Sequence, residues 1–240
     1  MANFVRLLVG FALIPACWCF LRTFYDALLF AGGSSSTWSV EGLSLLGGIG
    51  AFALCWTTIS HPIRTYVFGH EMTHAIWGLL FFARPSDIHV SVEGGSVTLT
   101  KSNMLITLAP YFFPFYTFVV IIAALITYAF LRPLPCLPLW LFLIGFTWAF
   151  HILFTLQTLT ERQPDIKLYG RIFSWTFILI ANIAIVLVFL ACLTPLTFKT
   201  LGVTLLEHLL STYLYLAKLI WSGTCTLTSW AYHFCTHTGS

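Results

Sequence analysis

The sequence predicts an all-α polytopic membrane protein of six to seven transmembrane helices with one small β-hairpin, and three observations predict it. Of 240 residues, 59% are apolar and only 8% charged, whereas a soluble domain of this size carries about a quarter of its residues as charges. Mean hydropathy is +0.91. Uncharged runs of the roughly 20 residues that cross a hydrocarbon core as a helix recur along the chain. A soluble globular protein is thereby excluded. The 11 basic and 8 acidic residues are scattered singly, so no basic run follows a phosphate backbone, and a disordered or nucleic-acid-binding chain is excluded too.

The first span is expected from Phe4 to about Phe30. Its opening residues resemble a signal sequence, but apolar sequence follows at once, which fits a retained helix. Within it Arg22 and Asp26 are four apart and can pair on one helical face. Gly32-Gly33-Ser34-Ser35-Ser36 reads as a flexible connection to a span over Gly42–Ser60. Thr65–Ala83 follows, interrupted only by His70, Glu71 and His74. In the polar segment after it, Ile88, Val90 and Val92, then Glu93-Gly94-Gly95, then Val97 and Leu99 alternate apolar with polar about a Gly-Gly turn, a hairpin signal.

Further spans are expected at Met104–Leu131, Pro133–Thr160 and Ile172–Phe198, the first of them kinked and packed at Tyr111-Phe112-Phe113-Pro114-Phe115. Pro164 disfavours helix at Gln163, so extended or broken backbone is expected before Asp165. Leu201–Trp221, apolar apart from Glu207, His208 and Lys218, is either a further span or an interfacial helix. Asn103 and Asn182 read as polar contacts between helices. The seven cysteines are odd in number and lie mostly in apolar runs, as at Cys17, Cys19, Cys55 and Cys192, so they act as small hydrophobes. Alternating the spans puts Arg6, Arg64, Arg132 and Lys199 on one face and Arg84, Lys101, Arg162, Lys167 and Arg171 on the other, a near balance.

Chemistry concentrates at His70-Glu71-Met72-Thr73-His74, which fits H-E-x-x-H. Residues four apart share a helical face, so both imidazoles can bind one zinc ion while the glutamate takes a proton from metal-bound water. With this composition such a match arises by chance roughly 0.006 times per chain. Ionisable residues inside an apolar span are costly and rarely carried without a use. Two other readings use the same cluster: a non-proteolytic proton or metal-ion transport relay, or polar contacts within a helix bundle. A catalytic zinc needs a third protein ligand, and the candidates are Asp165, Glu161, His151, Glu93 and His89.

These residues together resemble the site-2 protease family of intramembrane zinc metalloproteases: H-E-x-x-H in a span, the Glu93-Gly94-Gly95 hairpin next, Ala109-Pro110 opening the following span, and Gln163-Pro164-Asp165 after one more apolar stretch. The resemblance covers roughly residues 60 to 180. It implies His70, His74 and Asp165 as zinc ligands, Glu71 as general base, and a transmembrane protein substrate cleaved within the lipid bilayer. It also implies that a strand of the hairpin pairs with the unwound substrate. The sequence departs from the family in that Asp165 is followed by Ile166 instead of the family's glycine, and in having no Asn-Pro pair before it. The chain accordingly divides into N-terminal spans (1–60), a site-2-protease-like catalytic core (61–195) and a C-terminal apolar segment (196–240). Counting spans makes the H-E-x-x-H helix parallel to the span ending near Gln157, with the site opening on the face of the five basic residues, the cytosolic one.

Overall fold

Helices account for nearly all of the computed structural model, which describes residues 2–33, 39–59, 61–161 and 163–237. They are α1 (Ala2–Gly32), α2 (Val40–Thr58), α3 (Ile63–Leu80), α4 (Met104–Leu108), α5 (Phe115–Phe130), α6 (Leu137–Thr160), α7 (Pro164–Tyr169), α8 (Arg171–Leu193) and α9 (Phe198–His237). Strands β1 (Pro85–Val90) and β2 (Gly95–Leu99) form one antiparallel hairpin between α3 and α4. The protein is an all-α polytopic membrane protein. α1, α2, α6, α8 and α9 are each long and apolar enough to cross a bilayer, and α4 with its 3-10 extension to Tyr111 passes the same test only together with α5, from which it is bent by 83°, giving five crossings or six if that bent pair counts as one. The bend falls between Pro110 and Pro114, which cannot donate backbone hydrogen bonds to a continuous helix. The C-terminal apolar segment is thus of spanning length, and the Ser34–Ser36 connection and Arg162 lie outside the described residues.

Most large apolar side chains on the outer surface are exposed, as lipid-facing residues are. Inside, helices pair closely. α2 runs parallel to α6, with Phe52 against Phe146 and Phe150, and Trp56 against Phe154. Gly48 lies against the Phe142 backbone and Gly145 against the Leu45 backbone, so neither position has room for a Cβ. Small residues let membrane helices approach to backbone contact, where van der Waals packing holds them. α1 runs parallel to α8, with Gly10 against Phe173 and Cys17 Sγ 3.6 Å from the Thr176 carbonyl. α9 runs antiparallel to α1, joined by Thr23 to His208 at 3.0 Å and Tyr213 to the Ala12 carbonyl at 2.6 Å. Asp26 reaches His208 at 3.4 Å, across helices and not along its own helix to Arg22.

One expectation from span counting is overturned. α3 begins at the C-terminal end of α6, where Tyr66 stacks on Phe154 at 4.6 Å, and does not run parallel to it. The reason is that the chain doubles back between α3 and α5. The hairpin folds back along it, with Gly95 beside Val67 and Glu71 and Leu99 beside Gly78, and α5 then runs antiparallel to α6. α3, the hairpin and α4 thus form a doubled-back segment between α2 and α5, beside the C-terminal end of α6. Arg6 therefore sits on the face of Lys167 and Arg171, donating to the Leu168 carbonyl at 2.8 Å and lying 4.7 Å over the Tyr169 ring. Arg64, in the first turn of α3, joins the same face.

Candidate metal centre

Helical spacing puts His70, Glu71 and His74 on two successive turns of α3, and Thr73 and Gly69 pack the opposite side. The His74 imidazole is oriented by its neighbour: Nδ1 lies 2.9 Å from the Ile106 carbonyl, and a carbonyl can only accept. Nδ1 therefore carries the proton and Nε2 presents a lone pair. His70 Nδ1 is held 3.3 Å from Tyr66 Oη, which in turn lies 2.9 Å from Thr158 Oγ1 on α6. Such outer-shell hydrogen bonds set the tautomer and ring orientation that metal ligation requires.

The third member arrives from the far end of α6. Glu161 and Gln163 are extended, and Pro164 at the first position of α7 starts a new helix, so the backbone turns back and brings Asp165 over α3. The sequence expectation of broken backbone there is met. Asp165 Oδ2 lies 3.5 Å from His70 Nε2 and 3.4 Å from His74 Nε2. The three ligand atoms all fall within 4.8 Å of one another. A tetrahedral ion bound at about 2.1 Å has ligand-to-ligand edges of about 3.4 Å, which the two His–Asp distances match. Ligand-atom chemistry and spacing thus fit a metal ion. The side chains are 11%, 12% and 26% exposed for His70, His74 and Asp165, so the centre is nearly closed yet reachable.

Asp165 is also fixed from behind. Tyr111 Oη donates to its Oδ2 at 3.2 Å, the Tyr111 carbonyl accepts from Asn182 at 2.9 Å, and Ile166 is buried against Leu108 and Tyr111. Burial would raise the Asp165 carboxyl, but the His70 and His74 imidazoles beside it outweigh that and hold the group well below the ordinary carboxylate range. It is an anion at neutral pH.

The other candidate ligands stand elsewhere. Among the described residues the grouped ligands are His70, His74 and Asp165. Glu161 caps the end of α6 and accepts from Gln163 at 3.3 Å. His151 is buried within α6 against Asn182. Glu93, at the hairpin tip, lines the cavity over the centre but lies outside the ligand group, and His89 is on exposed β1.

A cavity of about 520 Å³ opens over the centre, lined by Glu71 and by β2 residues Gly95, Ser96 and Val97. Glu71 is 6% exposed. Gly95 permits this arrangement: a Cβ there would stand 2.6 Å from Val67 Cγ1, 2.7 Å from Glu71 Cγ and 2.9 Å from Glu71 Oε1. The sequence pattern marks Gly94-Gly95 only as a turn. Gly94, at φ +147°, serves that purpose, while Gly95 is the first residue of β2. Strict alternation through β1 is broken by a bulge between Ser86 and His89, where Asp87 has φ +49°. Tyr111 and Gly95 are site residues that the sequence reading missed. Nothing in the pattern around Tyr111 separates it from its aromatic neighbours.

The fold and centre define a multi-pass membrane protein whose His70, His74 and Asp165 could hold a metal ion. No protein-family model, curated protein or solved structure matches the chain.

Proposed function

We propose that the protein is an intramembrane zinc metalloendopeptidase of the site-2 type, acting on membrane-embedded protein substrates. One observation carries the reading: a carboxylate from α7 meets both H-E-x-x-H imidazoles while Glu71 and a β-strand line the same cavity. A transport relay has no need of a base beside a closed three-ligand set, nor of a strand along it.

Bound zinc supplies an acidified water and a positive charge against the oxyanion that develops on the scissile carbonyl. The chain's own residues supply the rest. Glu71 takes the proton of the attacking water and returns it to the leaving amine as the C–N bond breaks. Tyr111, Ile106 and Tyr66 hold the three ligands in place through the hydrogen bonds described above. A substrate helix must unwind to offer its carbonyl, and β2, lying along α3, gives the extended segment a strand to pair with. Arg6, Arg64, Lys167 and Arg171 share the face at which α7 and α8 meet, which supports placing that face in the cytosol.

The test is reconstitution of the purified protein in vesicles with a panel of single-span proteins, comparing wild type, Glu71→Gln and chelator-treated protein. Cleavage that requires both zinc and Glu71 supports the proposal. Zinc-loaded wild type that cleaves nothing, yet passes protons or metal ions across the vesicle in a His74-dependent way, selects the relay instead.

A further inference from the structure

At the face where α1 begins and α7 turns into α8, a second cleft of about 450 Å³ lies outside the metal centre. Its exposed rim carries Lys167, Arg171 and Asn3, and half-buried Ile172 and Phe173 with the more exposed Leu7 supply its apolar lining. No aspartate or glutamate lines it among the described residues. Arg6 adds a third cation at the edge but is already engaged, with the Leu168 carbonyl and the Tyr169 ring. Lys167 and Arg171 are exposed, and α8 has no side-chain cap on its first turn. The cleft therefore sets two cations directly beside an apolar lining, in the first turn of α8 and, on α1, one turn past Asn3.

We infer that this cleft binds the headgroup of an anionic phospholipid, with the phosphate between Lys167 and Arg171 and the first acyl carbons along Leu7, Ile172 and Phe173. The lining matches a lipid in kind: two cations for the phosphate and, next to them along α1 and α8, apolar side chains for hydrocarbon. Each basic residue near a bilayer surface attracts anionic lipid, and paired guanidinium and ammonium groups recognise a phosphate strongly. A soluble anion would use only the rim, whereas a lipid uses both walls. α7 is six residues long and carries Asp165 toward the metal centre and Lys167 toward the cleft. An occupied cleft braces that short helix.

The experiment is a lipid titration of the full-length protein in detergent by native mass spectrometry, with phosphatidylglycerol and phosphatidylcholine of matched chains. Wild type is expected to favour phosphatidylglycerol. Lys167→Gln/Arg171→Gln should lose roughly 30-fold in phosphatidylglycerol affinity, the effect of two surface cations. The charge-preserving Lys167→Arg/Arg171→Lys should retain it, and a thermal unfolding midpoint equal to wild type's in the neutral lipid shows that the glutamine variant is folded. Equal affinity for the two lipids, or an unchanged glutamine variant, overturns the proposal. So does displacement of bound lipid by millimolar inorganic phosphate, which would make the cleft a soluble-anion site.

Discussion

His74 Nε2 and Asp165 Oδ2 stand 3.4 Å apart, although α4, α5 and α6 separate them along the chain. That contact joins the helix motif to a third side chain in a group that could hold a metal ion, and it sets the first prediction. Purified wild-type protein should hold about one zinc per chain, and His74→Ala and Asp165→Ala should each weaken binding by more than the roughly 10- to 100-fold typical of outer-shell changes. Metal analysis after dialysis checks this. Wild-type levels of zinc in Asp165→Ala would remove it from the ligand set.

Glu71 lines the cavity without belonging to the ligand group. Glu71→Gln should keep its zinc and lose cleavage by roughly 10²- to 10⁴-fold, the usual contribution of a positioned acid–base group. Turnover of a cleavable substrate beside metal content distinguishes this from a ligand defect. Retained cleavage would sink the base assignment.

Gly95→Val should abolish cleavage with zinc retained. Its side chain would enter the space of Val67 and Glu71, already within 2.6 to 2.9 Å of an added Cβ, so the strand or the base must move while the ligands need not. Loss of zinc along with activity would show that the hairpin supports the ligands as well.

Tyr111 is fully buried and donates to Asp165 at 3.2 Å. Tyr111→Phe keeps the ring and removes that hydrogen bond, so zinc affinity should fall by about 10- to 100-fold. Competition with a calibrated chelator measures it, and an unchanged affinity would mean that α7 alone holds Asp165.

Acid should act on the centre in two separate ranges. Asp165 is held well below the usual carboxylate range in the folded protein, so its stabilising contribution is complete above the unfolded value of about 4 and is lost only as pH falls through the lower folded value. Zinc requires neutral imidazoles, so metal should be released at milder acidity than Asp165 protonation. Following zinc release and unfolding together from neutral pH downward checks the order; release only upon unfolding would contradict it.

How far the sequence carries can be read from individual residues. Leu137–Thr160 and Arg171–Leu193 form helices close to the expected spans because a bilayer offers no partner for backbone polar groups, so long apolar runs have one solution. The hairpin was legible from its turn, although the bulge at Asp87 was not. Arg6 lies on the face opposite to the one that counting gives, because counting alternates the face at every apolar segment whereas the chain doubles back after α3.

The sequence alone determined the membrane class, the helices, the pairing of His70 with His74 and the break before Asp165, all consequences of local composition and period. Tertiary structure decided which of five candidate side chains stands with His70 and His74 in a group that could hold a metal ion, that β2 lies against Glu71 and that Tyr111 backs the aspartate. Those contacts join segments far apart in the chain. They depend on how α7 folds back and how closely Gly95 allows the strand to approach, and no local pattern encodes a distance between two such segments.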